Sequence, residues 1–408
     1  MRLLGLSEAQ MVDRARRVSD AETVPDLVSV FARGAWTTVA EPGDGAAGGV
    51  VAALGPAVAL RAITERWSAE RVRARCESRN IAEVAEAVAA AWSSGATRWR
   101  SRLDGANVAA AFDLASRTGV RLVVPGGARW PERVVDLGVH APVALWMRSR
   151  VDEQDAAFGR SIALVGARAA TGYGEHVTLD AASGLVDRGF TIISGAAYGI
   201  DGMAHRAALA GRGRTIAFLA GGLDRPYPSG HASLIDRIAT TGAVYSEVPC
   251  GAAPTKWRFL QRNRLIAASS AATVVLEAGR RSGSLNTAGH AASLGRPLGA
   301  VPGPVTSAAS AGCHRLLREY DATCVTTAAE MAELVEPVSA SEAESAGGSA
   351  STGDAARSVL AVLNRRSATT VGQIADRTGL TSSEVQSTLG LLDLEGAVVE
   401  TASGWSRP

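Results

Sequence analysis

The side chains best suited to chemistry lie in glycine-rich segments that each follow a short apolar run. The first segment, residues 166–174, reads Gly-Ala-Arg-Ala-Ala-Thr-Gly-Tyr-Gly. Backbone amides at such a turn, with the positive end of a following helix, bind anions, and Arg168 adds a guanidinium fork suited to phosphate. The segment lacks the second glycine of a dinucleotide fingerprint, and it is not a P-loop because the only lysine is Lys256. Its candidate binding residues are Gly166, Arg168, Thr171, Gly172 and Tyr173.

A second glycine-rich segment, residues 194–201, contains an acid and precedes a base. His205 lies four residues after Asp201, so the two side chains share one face of a helix. One interpretation is a carboxylate–imidazole acid/base pair. The other, which we favour, is that Asp201 caps the helix or orients a loop and that His205 hydrogen-bonds to it. The candidate binding residues here are Ser194, Gly195, Gly199 and Asp201.

Residues 256–264, Lys-Trp-Arg-Phe-Leu-Gln-Arg-Asn-Arg, combine four cations with two aromatic rings. Single-stranded nucleic acid requires this mixture, because phosphates favour positive charge and splayed bases stack on flat rings. The alternative is a helix with Trp257 and Phe259 in the core and its arginines in solvent. The candidates are Lys256, Phe259, Arg262, Asn263 and Arg264.

A fourth segment, residues 277–287, places further anion-binding donors at the start of a predicted helix. Its candidates are Arg281, Ser282 and Ser284, with Arg280 and Asn286 beside them. Glu277 follows an apolar run directly, and we expect it to orient a neighbouring arginine or loop amide. The four segments together indicate a polyanion or a nucleotide as ligand. The histidines show no metal-ligand spacing, so we expect no metal site.

Short apolar runs alternate with amphipathic helices through the middle of the chain. This alternation is typical of βαβ units and a parallel sheet, and right-handed crossovers place all the strand-to-helix loops at the carboxyl edge. The predicted strands are 161–165, 190–193, 215–219, 243–245, 273–276 and 297–301, with 121–124 on the flank. The predicted fold class is therefore α/β, with an extended Rossmann-like parallel or mixed sheet.

Patterning predicts four regions: a helical N-terminal domain (1–105), the Rossmann-like core (106–336), a flexible linker (337–353) and a winged helix-turn-helix domain (354–408). The last has predicted helices at 355–363, 371–377 and 382–394 and a strand at 397–400, and it could contact either DNA or protein. Residues 40–49 are predicted to form a loop. The tryptophans between Trp36 and Trp130 are expected to be core anchors rather than base-stacking platforms.

Composition limits the class of protein. The 42 Lys and Arg residues against 40 Asp and Glu give a net charge of +2, which excludes a surface coated in positive charge but not a basic groove. Four scattered cysteines predict no disulfide framework and a reducing cytoplasm. No apolar run is long enough to span a bilayer, so no membrane partner is expected.

In order along the chain, these motifs resemble the DNA-processing protein A (DprA/Smf) family. The match is dense from about residue 120 to 335, and the terminal winged helix is similar to the tail domain that many members carry. The residues that carry it are Val165–Arg168, Ser194-Gly195, Gly199–Asp201, Ala204-His205, Gly222–Asp224, Tyr227-Pro228, Ser246-Glu247, Phe259, Arg262–Arg264, Glu277, Ser282–Leu285, Thr287-Ala288 and Pro302-Gly303.

The resemblance implies a homodimer that binds single-stranded DNA without cofactor or catalysis and loads the RecA recombinase during natural transformation. It assigns DNA contacts to Arg168 and its loop, to residues 194–201 and to residues 262–264. The sequence departs at Leu260, where the family usually has proline, and at residues 320–322, where a Gly-Ala step is common near the dimer contacts.

Two other hypotheses remain open on the residues alone. The chain could be a nucleotide-processing hydrolase with Asp201, His205 and Glu277 as catalytic residues, or a sequence-specific regulator acting through its winged helix.

Overall fold

The computed structural model describes residues 2–19, 27–151, 158–336, 352–364, 368–394, 396–401 and 404–408. Contacts divide the chain into two units, Met1–Glu336 and Pro337–Pro408.

The large unit begins with a small hairpin and seven helices. Side-chain caps start several of them: Ser7 forms a capping box with Gln10, and the Asp44 side chain accepts a hydrogen bond from the amide of Ala47. The elements are β1 (Arg2–Leu3), β2 (Leu6–Ser7), α1 (Glu8–Val18), α2 (Leu27–Val39), α3 (Gly45–Leu54), α4 (Pro56–Thr64), α5 (Ala69–Glu77), α6 (Ala82–Arg102) and α7 (Gly105–Arg117). The loop predicted at 40–49 is therefore wrong beyond Asp44, because that cap starts a helix in the Gly/Ala-rich run.

Nine strands form one sheet in the order β11-β10-β9-β5-β6-β7-β8-β4-β3. The strands from β5 to β11 pair in parallel with their neighbours, whereas β4 runs antiparallel to both β3 and β8. They are β3 (Arg121–Val123), β4 (Leu145–Ser149), β5 (Ser161–Gly166), β6 (Thr191–Ser194), β7 (Thr215–Leu219), β8 (Ala243–Ser246), β9 (Ala272–Glu277), β10 (Leu298–Ala300) and β11 (Thr323–Cys324). This confirms the predicted strands and the Rossmann-like class.

Helices connect the parallel strands. They are α8 (Gly172–Asp187), α9 (Ile200–Ala210), α10 (Ala232–Thr241), α11 (Lys256–Ser269), α12 (Ser284–Ser293), α13 (Ala311–Glu319) and α14 (Ala328–Glu333), with 3-10 helices at Glu132–His140 and Ser229–His231. From β5 the chain builds outward to β8 and then returns to place β9 on the other side of β5. The strand order reverses between β5 and β9, and such a switch point leaves a crevice at the carboxyl ends of the two strands.

The N-terminal helices pack on the sheet. Trp36 of α2 and Trp146 of β4 belong to one continuous apolar cluster with Leu219 and Ile235. Trp36, Trp67, Trp92, Trp99 and Trp130 are all buried, which confirms their prediction as core anchors. The domain boundary near residue 105 stays a prediction. Within the described residues no single helix is long and apolar enough to cross a membrane. Helices α3 and α4 reach the necessary length and apolar composition only when taken together, and the pair is bent by 110°.

The small unit has three helices and a two-stranded wing, as predicted. Gly379, with φ +72°, turns the chain between the second and third helices. Its elements are α15 (Thr352–Val362), α16 (Val371–Thr378), α17 (Ser382–Leu394), β12 (Val399–Thr401) and β13 (Gly404–Ser406). The predicted linker lies outside the described residues except at its end, where α15 has already begun.

Candidate nucleic-acid interface

A groove of about 470 Å³ opens at the carboxyl ends of β5 and β9. Two glycine-rich loops, residues 166–169 and 279–284, form parts of its wall, and one face of α11 forms another. Of the residues predicted from sequence, the groove is lined by Gly166, Arg168, Asp201, Phe259, Arg262, Asn263, Arg281, Ser282 and Ser284. The structure therefore brings residues from all four predicted segments into one site.

The loop after β5 is held by a carboxylate from β9. Glu277 accepts hydrogen bonds from the Thr171 amide (2.9 Å) and the Thr171 hydroxyl (2.5 Å), and the same hydroxyl caps α8 by accepting from the Gly174 amide (3.2 Å). This confirms that Glu277 orients a loop amide. Tyr173 is directed elsewhere, since its hydroxyl donates to the Pro302 carbonyl.

The Asp201 carboxylate organises the second loop. It accepts a hydrogen bond from the Gly195 amide at 3.2 Å, and burial raises its pKa, while the charge of Arg262 opposes that rise. The interpretation that Asp201 orients a loop is confirmed. The expected bond between His205 and Asp201 is wrong: the His205 ring bonds the Thr215 hydroxyl at 2.6 Å, and burial lowers its pKa to about 3.

Two backbone positions bring these loops together. Gly199 has φ +74°, and a Cβ there would lie 2.2 Å from the Ala167 carbonyl oxygen, so only glycine fits. The Ile200 amide donates to the same carbonyl at 3.1 Å. Ser194 is fully buried and its hydroxyl donates to the Leu164 carbonyl at 2.7 Å, so its side chain lies behind the groove.

Helix α11 turns its arginines inward. The Arg262 guanidinium donates to the carbonyls of Gly195 (2.7 Å) and Phe218 (2.5 Å), and burial lowers its pKa to about 10. Arg264 is 3% exposed, forms a two-point ion pair with Glu247 (2.6 and 2.7 Å), and does not line the groove. Both arginines therefore hold elements together, and Arg264 is not placed to contact a ligand in the groove.

The first turn of α11 carries the exposed groups. Thr255 caps the helix by accepting from the Arg258 amide at 3.2 Å. Lys256 is exposed and Trp257 is 58% exposed. The alternative of a helix with Trp257 in the core and its arginines in solvent is therefore wrong, because Trp257 is exposed whereas Arg262 and Arg264 are buried. The Arg168 guanidinium carbon lies 4.9 Å from the Phe259 ring centroid, a cation–π contact inside the groove.

Leu260 explains why the helix can begin at Lys256. Proline, the usual family residue at this position, has no backbone N–H to donate to a carbonyl in the first turn of the helix. It would therefore disfavour a helix that starts at Lys256. The other departure is accommodated in a different way. Asp321 adopts φ +52°, the left-handed region in which aspartate replaces glycine more readily than most residues do.

The loop after β9 supplies the remaining donors. Arg280 and Arg281 are both exposed, and the Ser282 and Ser284 hydroxyls share a hydrogen bond of 2.7 Å. Asn263 ties this loop to α11, because its amide donates to the Gly283 carbonyl at 3.3 Å. The groove also includes lining residues that sequence reasoning did not select: Ala167, Ala169, Ala197, Leu260, Ile266, Gly279, Gly283, Thr287 and Ala309. Most are small or apolar, and such residues carry no chemical signal in the sequence.

The chemistry of the groove suits a polyanion. Its charged lining groups are mostly arginines, and Asp201, the acid among its lining residues, already accepts a hydrogen bond from a loop amide. Among the described residues, no cluster of three or more His, Cys, Asp or Glu side chains could hold a metal ion.

Fold and groove thus define a Rossmann-like α/β protein with an arginine-lined groove at its switch point and an added winged helix. A family model described as DNA recombination-mediator protein A matches residues 121–336, and one described as DprA winged helix domain matches residues 343–404. The first covers more than half of the chain. The chain belongs to the DprA/Smf family, and the resemblance seen in the sequence is confirmed.

Relatives extend this match. A Mycobacterium tuberculosis protein called "Putative DNA processing protein DprA" is 45% identical over 305 residues, covering 70% of this chain and 76% of that protein. The "DNA processing protein DprA" of Streptococcus pneumoniae is 40% identical over 179 residues, covering 44% of this chain and 62% of that protein. An X-ray structure of DprA from Streptococcus pneumoniae aligns with a TM-score of 0.51 at 32% identity, covering 63% of this chain and 85% of that one.

Proposed function

We propose that this chain binds single-stranded DNA in the groove between β5 and β9. One observation carries the proposal: the Arg168 guanidinium lies over the Phe259 ring, beside a loop with the exposed Arg280 and Arg281. Cations for phosphates and a flat ring for a base are thus present in one groove. That combination is what a single strand requires, because its bases are unstacked and its backbone is charged.

We propose two roles for the predicted site residues. We propose direct contact with DNA for Gly166, Arg168, Gly172, Lys256, Phe259, Asn263, Arg281, Ser282 and Ser284. We propose a supporting role for Thr171, Tyr173, Ser194, Gly195, Gly199, Asp201, Arg262 and Arg264. Members of the second group are mostly engaged by other parts of the protein. Asn263 also bonds the Gly283 carbonyl, and we propose contact for it because it lines the groove.

We also propose that the chain acts without catalysis. The hydrolase hypothesis needs Asp201, His205 and Glu277 as reactive groups, yet each is occupied. Asp201 and Glu277 hold loop amides, and the His205 ring is fully buried against Thr215 with a pKa of about 3. An imidazole with that pKa is a poor base at neutral pH.

The wider role follows from the family. We propose that the protein acts in the cytoplasm as a homodimer and loads the RecA recombinase onto incoming strands in natural transformation. The description of the matching family as a recombination mediator supports the part of this proposal that concerns recombination. The test is RecA filament assembly on strands already coated by a single-strand-binding protein. Addition of the chain should shorten the lag, and an unchanged lag would contradict the loading role.

The binding proposal is tested by fluorescence anisotropy of a labelled oligothymidine strand. We expect tight binding to the single strand, weaker binding to a duplex of equal length, and an affinity that falls steeply as salt rises. Affinity that is independent of salt, or a preference for the duplex, would contradict a groove that reads phosphates and bases together.

A further inference from the structure

Aromatic rings continue from the groove along the carboxyl edge of the sheet. The Tyr227 ring lies 5.7 Å from that of Phe259, centroid to centroid. The segment 227–231 then leads to His231, whose ring lies 4.7 Å from that of Tyr198. Tyr198 belongs to the loop after β6, and Trp257 precedes Phe259 on α11 by two residues. Loops from two neighbouring strands and one helix therefore carry rings outward from the groove.

Three of these rings face solvent, and we call Tyr198, Tyr227 and Trp257 the aromatic strip. They are 49%, 49% and 58% exposed, respectively. Exposing a large ring forgoes the free energy of burying it, so exposed rings on the loops and the helix that border the groove indicate an interaction surface.

Within the strip, Tyr198 is held by well-packed neighbours. The Tyr198 hydroxyl lies so near Gly230 that a Cβ there would be 2.7 Å from it. Tyr198 packs edge-on against His231, which is buried and hydrogen-bonds the Ala196 carbonyl at 3.0 Å. Gly202 leaves the space that the His231 ring fills, since a Cβ there would lie 2.4 Å from that ring. Rings placed in this way lose little conformational entropy on binding.

We propose that the aromatic strip is a second part of the nucleic-acid site, on which bases of a single strand stack after leaving the groove. This rests on the proposed function. Continuity with the groove through Phe259 supports it, and so do cations close to the rings in the sequence. Lys256 is exposed next to Trp257, and the Arg225 side chain, two residues before Tyr227, is 90% exposed with its Nε 3.8 Å from the Asp224 carboxylate. A single strand fits such a surface because its bases have free faces, whereas the bases of a duplex are already stacked.

The test compares oligothymidine strands of about 4 to 16 nucleotides, the range of single-strand site sizes. Affinity of the unaltered protein should rise with length beyond what the groove accommodates. Tyr198→Leu, Tyr227→Leu and Trp257→Leu should each weaken binding of the long strand by roughly 5- to 100-fold. Tyr198→Leu and Trp257→Leu should leave the shortest strand unaffected, whereas Tyr227→Leu is compared on the long strand alone because its ring contacts Phe259. The matched Tyr→Phe and Trp→Phe changes should keep most of the affinity, because they retain a flat ring.

The control is Leu179→Ala, which removes a 46%-exposed apolar side chain from the middle of α8. If short strands bind and the leucine variants have the affinity of the unaltered protein at every strand length, the role of the strip is wrong and the groove proposal stands. Equal weakening of short-strand and long-strand binding would also contradict the proposal that the strip binds DNA beyond the groove. Failure of strands of every length to bind would instead remove the proposed function itself.

A second measurement needs no destabilising change. Long strands should quench the emission of Trp257, and the quenching should be absent in Trp257→Phe, which still binds. Unchanged emission from the unaltered protein on saturation with the long strand would overturn stacking on this ring.

Discussion

Two arginines that the sequence assigns to the same role should respond differently to removal. Arg168 is exposed in the groove, whereas Arg264 is 3% exposed and paired with Glu247. We expect Arg168→Ala to reduce the salt dependence of single-strand binding. We expect Arg264→Ala to lower the free energy of unfolding and to leave that salt dependence unchanged.

The size of the first effect follows from counterion release. Each phosphate neutralised on a single strand contributes about 0.7 to the slope of log affinity against log salt concentration. If Arg168 neutralises one phosphate, its removal should reduce the magnitude of the slope by about 0.7. Removal of Arg168, Arg280 and Arg281 together should reduce it by roughly 2, since the contributions add.

The size of the second effect follows from burial. Removing one partner of a buried ion pair costs about 3 to 5 kcal/mol, because the other charge is left without compensation. We expect Arg264→Ala to fall near the lower end, about 3 kcal/mol. The Gly43 amide still donates to Glu247, and burial raises the pKa of this carboxyl, so protonation relieves part of the cost.

The assays are anisotropy titrations at several salt concentrations and urea unfolding of the same proteins. Arg188→Ala is the matched control, since Arg188 is an exposed arginine just beyond the C-terminal end of α8, whereas the groove loop lies at the start of that helix. An Arg168→Ala slope equal to that of the unaltered protein would refute the assignment of Arg168 to a phosphate. A loss of slope in Arg264→Ala, with stability unchanged, would refute the supporting role of Arg264.

Three further outcomes are expected. The pKa of His205 is about 3 in the folded chain against an ordinary 6.5, so stability from its neutral form is complete above pH 6.5 and falls by up to about 1.4 kcal/mol per pH unit below it. Urea unfolding between pH 7 and pH 4 should show a smaller loss of stability in His205→Asn than in the unaltered protein. His176→Asn, a change at an exposed histidine, should keep the full loss. Equal losses in all three proteins would contradict the assignment to His205. Gly199→Ala should destabilise the chain by at least about 1 to 3 kcal/mol from backbone strain, while Gly172→Ala, which meets open space, should leave its melting temperature nearly unchanged. A chain ending at residue 336 should keep its affinity for a single strand, and loss of binding would assign the site to the winged helix.

Much of the architecture could be predicted from local patterns. Strands β5 to β9 appear in the sequence as short apolar runs bounded by glycine, and their buried positions are almost continuous because helices cover both faces of a parallel sheet. Capping residues such as Thr171 and Thr255 mark helix starts. Since parallel strands place their carboxyl ends at one edge, the position of the four loops also follows from the sequence.

The faces of α11 could not be predicted in the same way. Nearly the whole helix after its second turn is buried, so its apolar residues show no single stripe from which an orientation could be determined. Its arginines find their partners far away in the chain: Arg262 at Gly195 and Phe218, and Arg258 at Glu41, 217 residues earlier.

The sequence by itself therefore determined the sheet, the edge at which the glycine-rich loops meet and the basic, aromatic character of that edge. Only the tertiary structure decided which cations face the groove and which are buried supports. The physical reason is that a guanidinium is placed by the carbonyls and carboxylates it meets after folding. Those groups come from elements that are distant in the sequence, such as Glu247 at the end of β8 and the loop at Gly43. Local sequence patterns do not indicate that these elements come together.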